Sequence, residues 1–240
     1  MLEINKIYHG DCLEVIKQIP DKSIDLVLTD PPYNISDNVK MTKMGNKFVN
    51  ADFGEWDKMG RDEYLLFCGK VLSEICRILK DNSGIYWFTD KAMVSYIWDI
   101  GVERGLKGKN IIVWHKNNPV PQFRFQNYLS SCEFFIWFAY GVHKLNFGKQ
   151  TEMHNFIEMP ICSDRDRIHP TQKPVKLFET YIKHGSNEND LVLDPFSGSG
   201  TTAIACHNLK RNFICIEKDE EYYKKSVERY NKHIQQTRLW

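Results

Sequence analysis

The sequence lacks any apolar run of transmembrane length and shows no signal peptide, so we expect a cytoplasmic protein without a membrane partner. Its seven cysteines include no C-x-x-C pair and are odd in number, which favours reduced thiols over a disulfide framework or a zinc site. No cluster of histidine and cysteine has the spacing of metal ligands, and we therefore predict no bound metal. Internal repeats and low-complexity segments are also missing.

An excess of charge of one sign is absent as well, because 32 Lys and Arg residues balance 31 Asp and Glu residues. This balance gives no global field that attracts nucleic acid, although a local basic cleft is compatible with it. The hydrophobic content of 42% is ordinary for a soluble globular protein. A chain of 240 residues suffices for one core, so we predict a single domain over residues 1–240.

Apolar runs rich in β-branched and aromatic residues alternate with stretches of helical periodicity. The predicted strands cover residues 5–11, 24–29, 85–88, 110–114, 132–139, 190–193 and 213–216. The predicted helices cover residues 12–19, 62–79, 91–102, 174–183, 202–209 and 219–235, the second of them capped by Asp62. This alternation predicts an α/β fold with a doubly wound, mostly parallel sheet.

Two segments have no clear period. Residues 36–61 are polar and contain three glycines. A long irregular stretch beside a predicted site is more typical of a mobile binding loop than of a linker. Residues 141–166 are also irregular and carry scattered basic side chains.

The segment Asp30-Pro31-Pro32-Tyr33-Asn34 directly follows a predicted buried strand. Two consecutive prolines remove two backbone donors and end the strand, so we expect a stiff turn at its carboxyl end, where α/β proteins bind ligands. Carboxylate and carbonyl acceptors beside the Tyr33 ring suit a flat heterocycle that carries an exocyclic amine. A simple turn with a surface Asp30 is the alternative for this segment taken alone.

A glycine-rich segment, DPFSGSGTT at residues 194–202, links a predicted strand to a predicted helix. Gly198 and Gly200 let the backbone approach a ligand, and the helix N-terminus offers N–H groups to a negative group. The dinucleotide fingerprint is incomplete, because Ala203 holds the place of its third glycine, and no phosphate-loop lysine follows. Glu217 ends the next strand, where an acid can bind ribose hydroxyls or simply cap a helix. A nucleoside with a modest anionic group fits this pattern better than a triphosphate.

The motifs TDPPYNI and LDPFSGSGTT, joined by the HPTQKP segment at residues 169–174, resemble those of the β-class DNA amino-methyltransferases. Each motif alone has modest specificity, whereas the three in this order and spacing are highly specific. The resemblance implies a Rossmann-like methyltransferase fold with a seven-stranded sheet, circularly permuted so that the cofactor strand comes late. It also implies S-adenosyl-L-methionine as the cofactor and duplex DNA as the substrate.

The same resemblance implies roles for the matching residues. The catalytic residues would be Asp30, Pro31, Pro32 and Tyr33, with Tyr33 stacking on a base flipped out of the duplex. The cofactor-binding residues would be Asp11, Thr171, Lys173, Asp194, Phe196, Ser197, Gly198, Ser199, Gly200, Thr201 and Glu217. Among these, Asp11 would bind the adenine amino group of the cofactor, Glu217 the ribose and Lys173 the carboxylate. A strand-end turn at Asp11 and a helix cap at Lys173 are the structural alternatives.

Target recognition in this class of enzymes lies between the late strands and the HPTQKP segment, here residues 116–168. Candidate contacts to DNA are Asn34, Lys116, Arg124, Lys144, Lys149, Arg165 and Arg167. Acidic side chains nearly balance the basic ones in this region, so a solvated surface explains most of these charges individually.

Aspartate rather than serine at the first position of the catalytic motif favours adenine over cytosine. We therefore predict methylation of the 6-amino group of adenine at a short sequence in duplex DNA. The alternatives are methylation of cytosine N4, of RNA or of a glutamine side chain, and a catalytically inactive DNA-binding regulator. Candidate protein partners are a second copy of the chain, since family members are often dimers, and a cognate restriction endonuclease. The sequence identifies neither of these partners.

Overall fold

The computed structural model describes residues 2–33, 42–44, 47–49, 59–121, 128–163 and 167–237. The strands of this part are β1 (Lys6–His9), β2 (Ile24–Thr29), β3 (Thr42–Met44), β4 (Lys47–Val49), β5 (Leu79–Thr89), β6 (Lys107–His115), β7 (Cys132–Ala139), β8 (Phe156–Glu158), β9 (Leu191–Asp194) and β10 (Asn212–Glu217). Its helices are α1 (Cys12–Ile16), α2 (Arg61–Ile78), α3 (Val94–Glu103), α4 (Val175–Gly185), α5 (Thr201–Asn208) and α6 (Glu220–Thr237).

A central sheet has the strand order β1, β10, β9, β2, β5, β7, β6, β8. Its neighbouring strands are parallel except where β7 pairs with β5 and β6. The prediction of a doubly wound, mostly parallel sheet is confirmed. The sheet has eight strands instead of seven, because β8 adds three residues beside β6. The late strand β9 lies between β10 and β2, as the permuted order requires.

The two segments without clear period contain short strands that the pattern did not predict. β3 and β4 pair as an antiparallel hairpin within residues 36–61, and β8 lies within residues 141–166. Strands of three residues are too short to show an alternation of apolar and polar positions. The predicted cap of α2 is wrong by two positions, since Gly60 is the N-cap and Asp62 lies in the first turn.

The core lies on both faces of the sheet, because side chains alternate along each strand. On β5, Trp87 packs with helices α1 to α3, whereas Phe88 packs with helices α4 and α5. The Phe88 ring stacks on that of Phe135 from β7, with centroids 4.3 Å apart. Among the described residues, no helix is long and apolar enough to cross a membrane.

Parallel pairing brings the carboxyl ends of several strands to one edge of the sheet, here called the carboxyl edge. Asp11 follows β1, Asp30 follows β2, and Asp194 and Glu217 are the last residues of β9 and β10. The antiparallel strand β7 begins at this edge, since Glu133 pairs with Trp114 near the end of β6. Residues far apart in the chain therefore meet at the carboxyl edge.

Candidate active site

Asp194 fixes the glycine-rich loop between β9 and α5. The residue is 2% exposed, and its Oδ1 accepts hydrogen bonds from Thr29 Oγ1 at 2.9 Å and from the Phe196 N–H at 3.1 Å. Its Oδ2 accepts a hydrogen bond from Thr202 Oγ1. Burial raises the pKa of Asp194 to about 7, against the opposing effect of these three donors. Asp194 thus joins β2, the loop and α5, and its oxygens face protein donors.

The loop itself leaves room for a ligand. Gly198 and Gly200 have φ angles of 50° and 72°, in the left-handed region that glycine favours. A Cβ atom on Gly198 would come no closer than 3.9 Å to the His169 ring, its nearest neighbour. The buried hydroxyl of Ser197 has no hydrogen-bond partner within the described part of the chain. An open loop beside an unsatisfied hydroxyl suits a polar ligand.

Glu217 closes the same loop from the neighbouring strand. Its Oε2 accepts a hydrogen bond from the Gly198 N–H and its Oε1 one from the Asp219 N–H, both at 2.8 Å. Burial raises the pKa of Glu217, and these two N–H donors oppose the rise. A carboxylate has about four lone-pair sites, so Glu217 retains acceptors for two hydroxyls.

Asp11 lies beside Glu217, because the Gly10 N–H donates to the Glu217 carbonyl at 3.0 Å. Its Oδ1 caps α1 by accepting from the Leu13 N–H at 3.0 Å, and its Oδ2 pairs with Lys218 Nζ at 3.0 Å. The position of Asp11 agrees with a cofactor role, and its contacts agree with the alternative of a strand-end turn.

Other residues of the loop point into the protein. Ser199 and Thr201 share a hydrogen bond at 3.1 Å, and Arg229 of α6 donates to their hydroxyls at 3.3 and 3.2 Å. The Thr201 hydroxyl also donates to the Lys173 carbonyl at 3.2 Å. Phe196 packs edge-on against Phe67 of α2, with centroids 5.9 Å apart. These side chains support the shape of the loop.

The HPTQKP segment lies over the loop and leads into α4. The exposed Thr171 holds the His169 ring, with its N–H and hydroxyl at 3.2 and 3.0 Å from Nδ1. The His169 ring meets Tyr222 edge-on at 4.2 Å. Burial, with a smaller effect of Lys173, lowers the pKa of His169 to about 4, so the ring is neutral at pH 7.

Asp30 and Lys173 form the second half of the site. Lys173 Nζ donates to Asp30 Oδ2 at 2.6 Å, and the Tyr33 hydroxyl donates to Asp30 Oδ1. The side chain of Lys173 is 5% exposed and that of Asp30 is 16% exposed. Pro31 is buried beside them, and Pro32 is half-buried. The predicted catalytic motif therefore forms a compact, largely buried turn that adjoins the glycine-rich loop through Lys173.

Glu133 joins this pair, although no motif in the sequence marks it as part of the site. Its Oε2 lies 3.0 Å from Lys173 Nζ, and its Oε1 lies 3.2 Å from Lys116 Nζ. The one indication in the sequence is an acid at the start of the aromatic run CEFFIWFA, where a buried carboxylate needs a cationic partner.

The charges around Lys173 shift the pKa values of Asp30, Lys173 and Glu133. Burial raises the pKa of Asp30, and the charge of Glu133 raises it further. Lys173 and Tyr33 lower this pKa but do not cancel the rise. Burial lowers the pKa of Lys173, but Asp30 and Glu133 outweigh burial and the net shift is upward. Burial raises the pKa of Glu133, but Lys173 and Lys116 outweigh it and the net shift is downward. Lys173 is therefore a cation in the folded protein.

The predicted DNA contacts separate into different parts of the molecule. Lys116 is only 13% exposed and pairs with Glu133, so it lies inside the site. Lys149 is exposed beside the short helical turn Gln150–Glu152. Arg167 is half-buried and donates to the Cys162 carbonyl at 2.9 Å. Asn34, Arg124 and Arg165 lie outside the described residues.

Lys144 does not join the site. β7 runs antiparallel, so the chain leaves it at the edge of the sheet opposite Asp30. Asn146, two residues further on, binds the C-terminal end of α4, its N–H donating to the His184 carbonyl at 2.7 Å. Lys144, a predicted DNA contact, therefore lies apart from Asp30. In the described part of the chain, no group of three or more His, Cys, Asp or Glu side chains is arranged to hold a metal.

Comparisons with known proteins agree with this geometry. Residues 24–228 match the model of the N6_N4_Mtase family, described as DNA methylase. The Type II methyltransferase M2.MboI of Moraxella bovis is 34% identical over 240 residues, covering 94% of this chain and 87% of that protein. The solved structure of the M1.HpyAVI–SAM complex is 31% identical with a TM-score of 0.74, covering 94% of this chain and 98% of that one.

The fold extends to more distant proteins. The PvuII DNA methyltransferase, described as cytosine-N4-specific, is 20% identical with a TM-score of 0.72, covering 96% of this chain and 90% of that one. At this identity the match supports the fold alone. The family match, the close relatives and the geometry at the carboxyl edge lead to one assignment. The chain belongs to the S-adenosylmethionine-dependent DNA amino-methyltransferases that modify adenine N6 or cytosine N4.

Proposed function

We propose that this DNA methyltransferase methylates the 6-amino group of adenine, at one short sequence in duplex DNA. The observation that carries the proposal is the carboxylate of Asp30, largely buried at the carboxyl end of β2 next to the cofactor loop. In the family, aspartate at this position favours adenine, and serine is common in enzymes that modify cytosine. The shared fold leaves the choice of base open, since it extends to a cytosine-N4-specific relative.

The chemistry requires acceptors at this place. The lone pair of an exocyclic amine is delocalised into its ring, so the nitrogen is a poor nucleophile. Hydrogen bonds from the amine to the Asp30 carboxylate and to the Pro31 carbonyl favour the pyramidal nitrogen from which attack is possible. S-adenosylmethionine supplies a methyl group on a sulfonium, so the protein provides position and electrostatics more than a strong base.

The loop of β9 is suited to this cofactor. Gly198 leaves space beside the backbone, Ser197 has a hydroxyl without a partner among the described residues, and Glu217 retains acceptors. Lys173 would face the carboxylate of the cofactor while its carbonyl accepts a hydrogen bond from the first turn of α5. These residues would bind and orient the cofactor, while Asp30 would orient the target.

Duplex DNA reaches Asp30 only with the base flipped out of the helix. The ring of Tyr33 would stack on that base, since its hydroxyl is held at Asp30. Two parts of the proposed recognition region, residues 116–168, approach the same edge. The Lys116 N–H donates to the Ser131 carbonyl at 2.7 Å, and the Ile161 N–H donates to Asn118 Oδ1 at 2.8 Å. Both contacts hold these segments near the carboxyl edge.

Analysis of the methylated nucleoside tests the proposal. The protein is incubated with mixed-sequence duplex DNA, RNA and labelled S-adenosylmethionine, and the nucleic acids are digested for mass spectrometry. We expect the label in 6-methyladenine from DNA, and none with the Asp30→Ala variant. Label in N4-methylcytosine would overturn the choice of base. Label in RNA alone, or none despite measured cofactor binding, would overturn the proposed DNA substrate or the activity.

A further inference from the structure

Four charged side chains of alternating sign, those of Asp30, Lys173, Glu133 and Lys116, form a continuous chain within the site. Lys173 Nζ lies 2.6 Å from Asp30 and 3.0 Å from Glu133, and Lys116 Nζ lies 3.2 Å from the other oxygen of Glu133. The exposed fractions of their side chains range from 5% at Lys173 to 24% at Glu133. The chain of charges is neutral in sum, which is the condition for burying ionised groups.

Lys173 has two acceptors within reach but is directed at one of them. It donates a hydrogen bond to Asp30 Oδ2, whereas its contact with Glu133 Oε2 at 3.0 Å is an ion pair without good hydrogen-bond alignment. Among the described residues, Glu133 Oε2 receives no other hydrogen bond. An ammonium group carries three N–H donors, so a small rotation of Lys173 would give Glu133 Oε2 its missing bond.

Asp30, in contrast, already has a donor on each of its oxygens. Lys173 binds its Oδ2 and the Tyr33 hydroxyl binds its Oδ1. A target amine that donates to Oδ2 would share that oxygen with Lys173 and weaken the Lys173 bond. Releasing a buried lysine with no second partner would leave an uncompensated charge, which is strongly unfavourable. The position of Glu133 removes this obstacle.

We propose that Glu133 is a positioning residue that takes over the Lys173 ammonium group when Asp30 accepts a hydrogen from the target amine. Lys173 and Lys116 together keep Glu133 ionised for this exchange. The inference deepens the proposed function and rests on it, because it assumes that Asp30 binds the amino group that becomes methylated. Nothing in it depends on whether that amino group belongs to adenine or cytosine.

The pH dependence of activity distinguishes this role from a structural one. The charged or titratable groups near Asp30 are Lys173, Glu133, Tyr33, Tyr64 and Asp194. Burial and then the charge of Glu133 raise the pKa of Asp30. Replacing Glu133 by glutamine removes that charge, so Asp30 stays ionised to lower pH. The acid limb of the pH–rate profile should therefore move to lower pH in Glu133→Gln.

The experiment compares Glu133→Gln with Glu74→Gln. Glu74 is a matched control, since it is 29% exposed and paired with Arg77 at 2.9 Å on α2. We expect Glu133→Gln to lower kcat by about 10- to 100-fold, because the target amine competes with a lysine that has lost its second carboxylate partner in the protein. Its Kd for S-adenosylmethionine should change by less than about tenfold. Glu133→Asp, which keeps the charge, should recover part of the lost activity. Glu74→Gln should retain kcat and the pH profile of the unmodified protein.

Two outcomes would overturn the inference. One is a kcat of folded Glu133→Gln within about twofold of the unmodified protein. The other is a lower kcat with an unmoved acid limb, which would indicate a structural loss. If Glu133→Gln fails to fold, kcat and the pH–rate profile are compared for Glu133→Asp and Lys116→Gln instead. The proposal then requires that the acid limb of the profile shifts in Lys116→Gln.

Failure of the proposed function is recognised separately. Methylcytosine from the unmodified protein changes the base and leaves these comparisons valid. If the unmodified protein methylates no nucleic acid, carboxyl-carbon NMR titration of Asp30 replaces the rate profile. A pKa of Asp30 that is lower in Glu133→Gln than in the unmodified protein supports a lysine shared by the two carboxylates. An unchanged pKa overturns it.

Discussion

Asp30 lies at the end of β2, whereas the cofactor loop begins at the end of β9. Substitutions can therefore test the roles of these two positions separately. We expect Asp30→Asn to lower the rate of methylation by about 100-fold or more, because a neutral amide accepts a hydrogen from the amine more weakly than a carboxylate. Its Kd for S-adenosylmethionine should change by less than about tenfold. Steady-state kinetics and calorimetry measure the two quantities. A large loss of cofactor affinity in a folded Asp30→Asn protein would contradict this division of roles.

Lys173 carries the positive charge that two buried carboxylates share. Lys173→Met removes this positive charge and leaves the carboxylates of Asp30 and Glu133 without it. We therefore expect a loss of about 3–5 kcal/mol in the free energy of unfolding at pH 8. The control is Lys176→Met, one turn along the same segment, where the lysine is 78% exposed. This control should lose less than about 1 kcal/mol.

The loss in Lys173→Met should also depend on pH. Without the ammonium group, the folded-state pKa of Asp30 rises further above its unfolded value, so the folded variant binds a proton that the unfolded chain releases. The stability of the variant therefore falls as the pH rises from about 5 to 8. Urea titrations at both pH values measure it. A variant that is equally destabilised at pH 5 and pH 8 would contradict the buried-pair explanation.

The strands and motifs that form the site were predictable because their local signals are strong. Proline at 31 and 32 ends β2, and glycines at 198 and 200 mark the loop before α5. What the sequence does not contain is the pairing of strands. Glu133 meets Lys173 only because β7 runs antiparallel beside β5, and the same reversal carries Lys144 to the opposite edge. Contacts set by sheet topology cannot be found from motif spacing alone.

The loop between β9 and α5 depends on a bare backbone at Gly198. Valine there would adopt a φ of 50° only with strain, and its β-branched side chain would fill the open side of the loop next to His169. We expect Gly198→Val to weaken S-adenosylmethionine binding by at least about 30-fold, or about 2 kcal/mol. Gly105→Val, with a φ of 87° and open space in a turn after α3, controls for backbone strain away from the site. Equal affinities of the two variants by calorimetry would place the cofactor elsewhere.

The cofactor should stabilise the whole domain, because its predicted contacts lie on the ends of β1, β10 and β9 and on the segment before α4. A ligand at 100 times its Kd adds about 2.7 kcal/mol to the free energy of unfolding. For a chain of 240 residues this corresponds to an increase in Tm of about 5–10 °C. Gly198→Val, with a Kd at least about 30-fold higher, should lose about two-thirds or more of the increase at the same concentration.

Lys144→Ala should show the full increase in Tm, since Lys144 lies at the edge of the sheet opposite Asp30. Differential scanning calorimetry with and without S-adenosylmethionine compares the three proteins. The assignment of the cofactor to the carboxyl edge would be contradicted if Lys144→Ala lost the increase in Tm while Gly198→Val kept it. That result would mean that the cofactor binds near the end of β7. The grouping of Asp11, Asp194 and Glu217 at the carboxyl edge would then have no role in its binding.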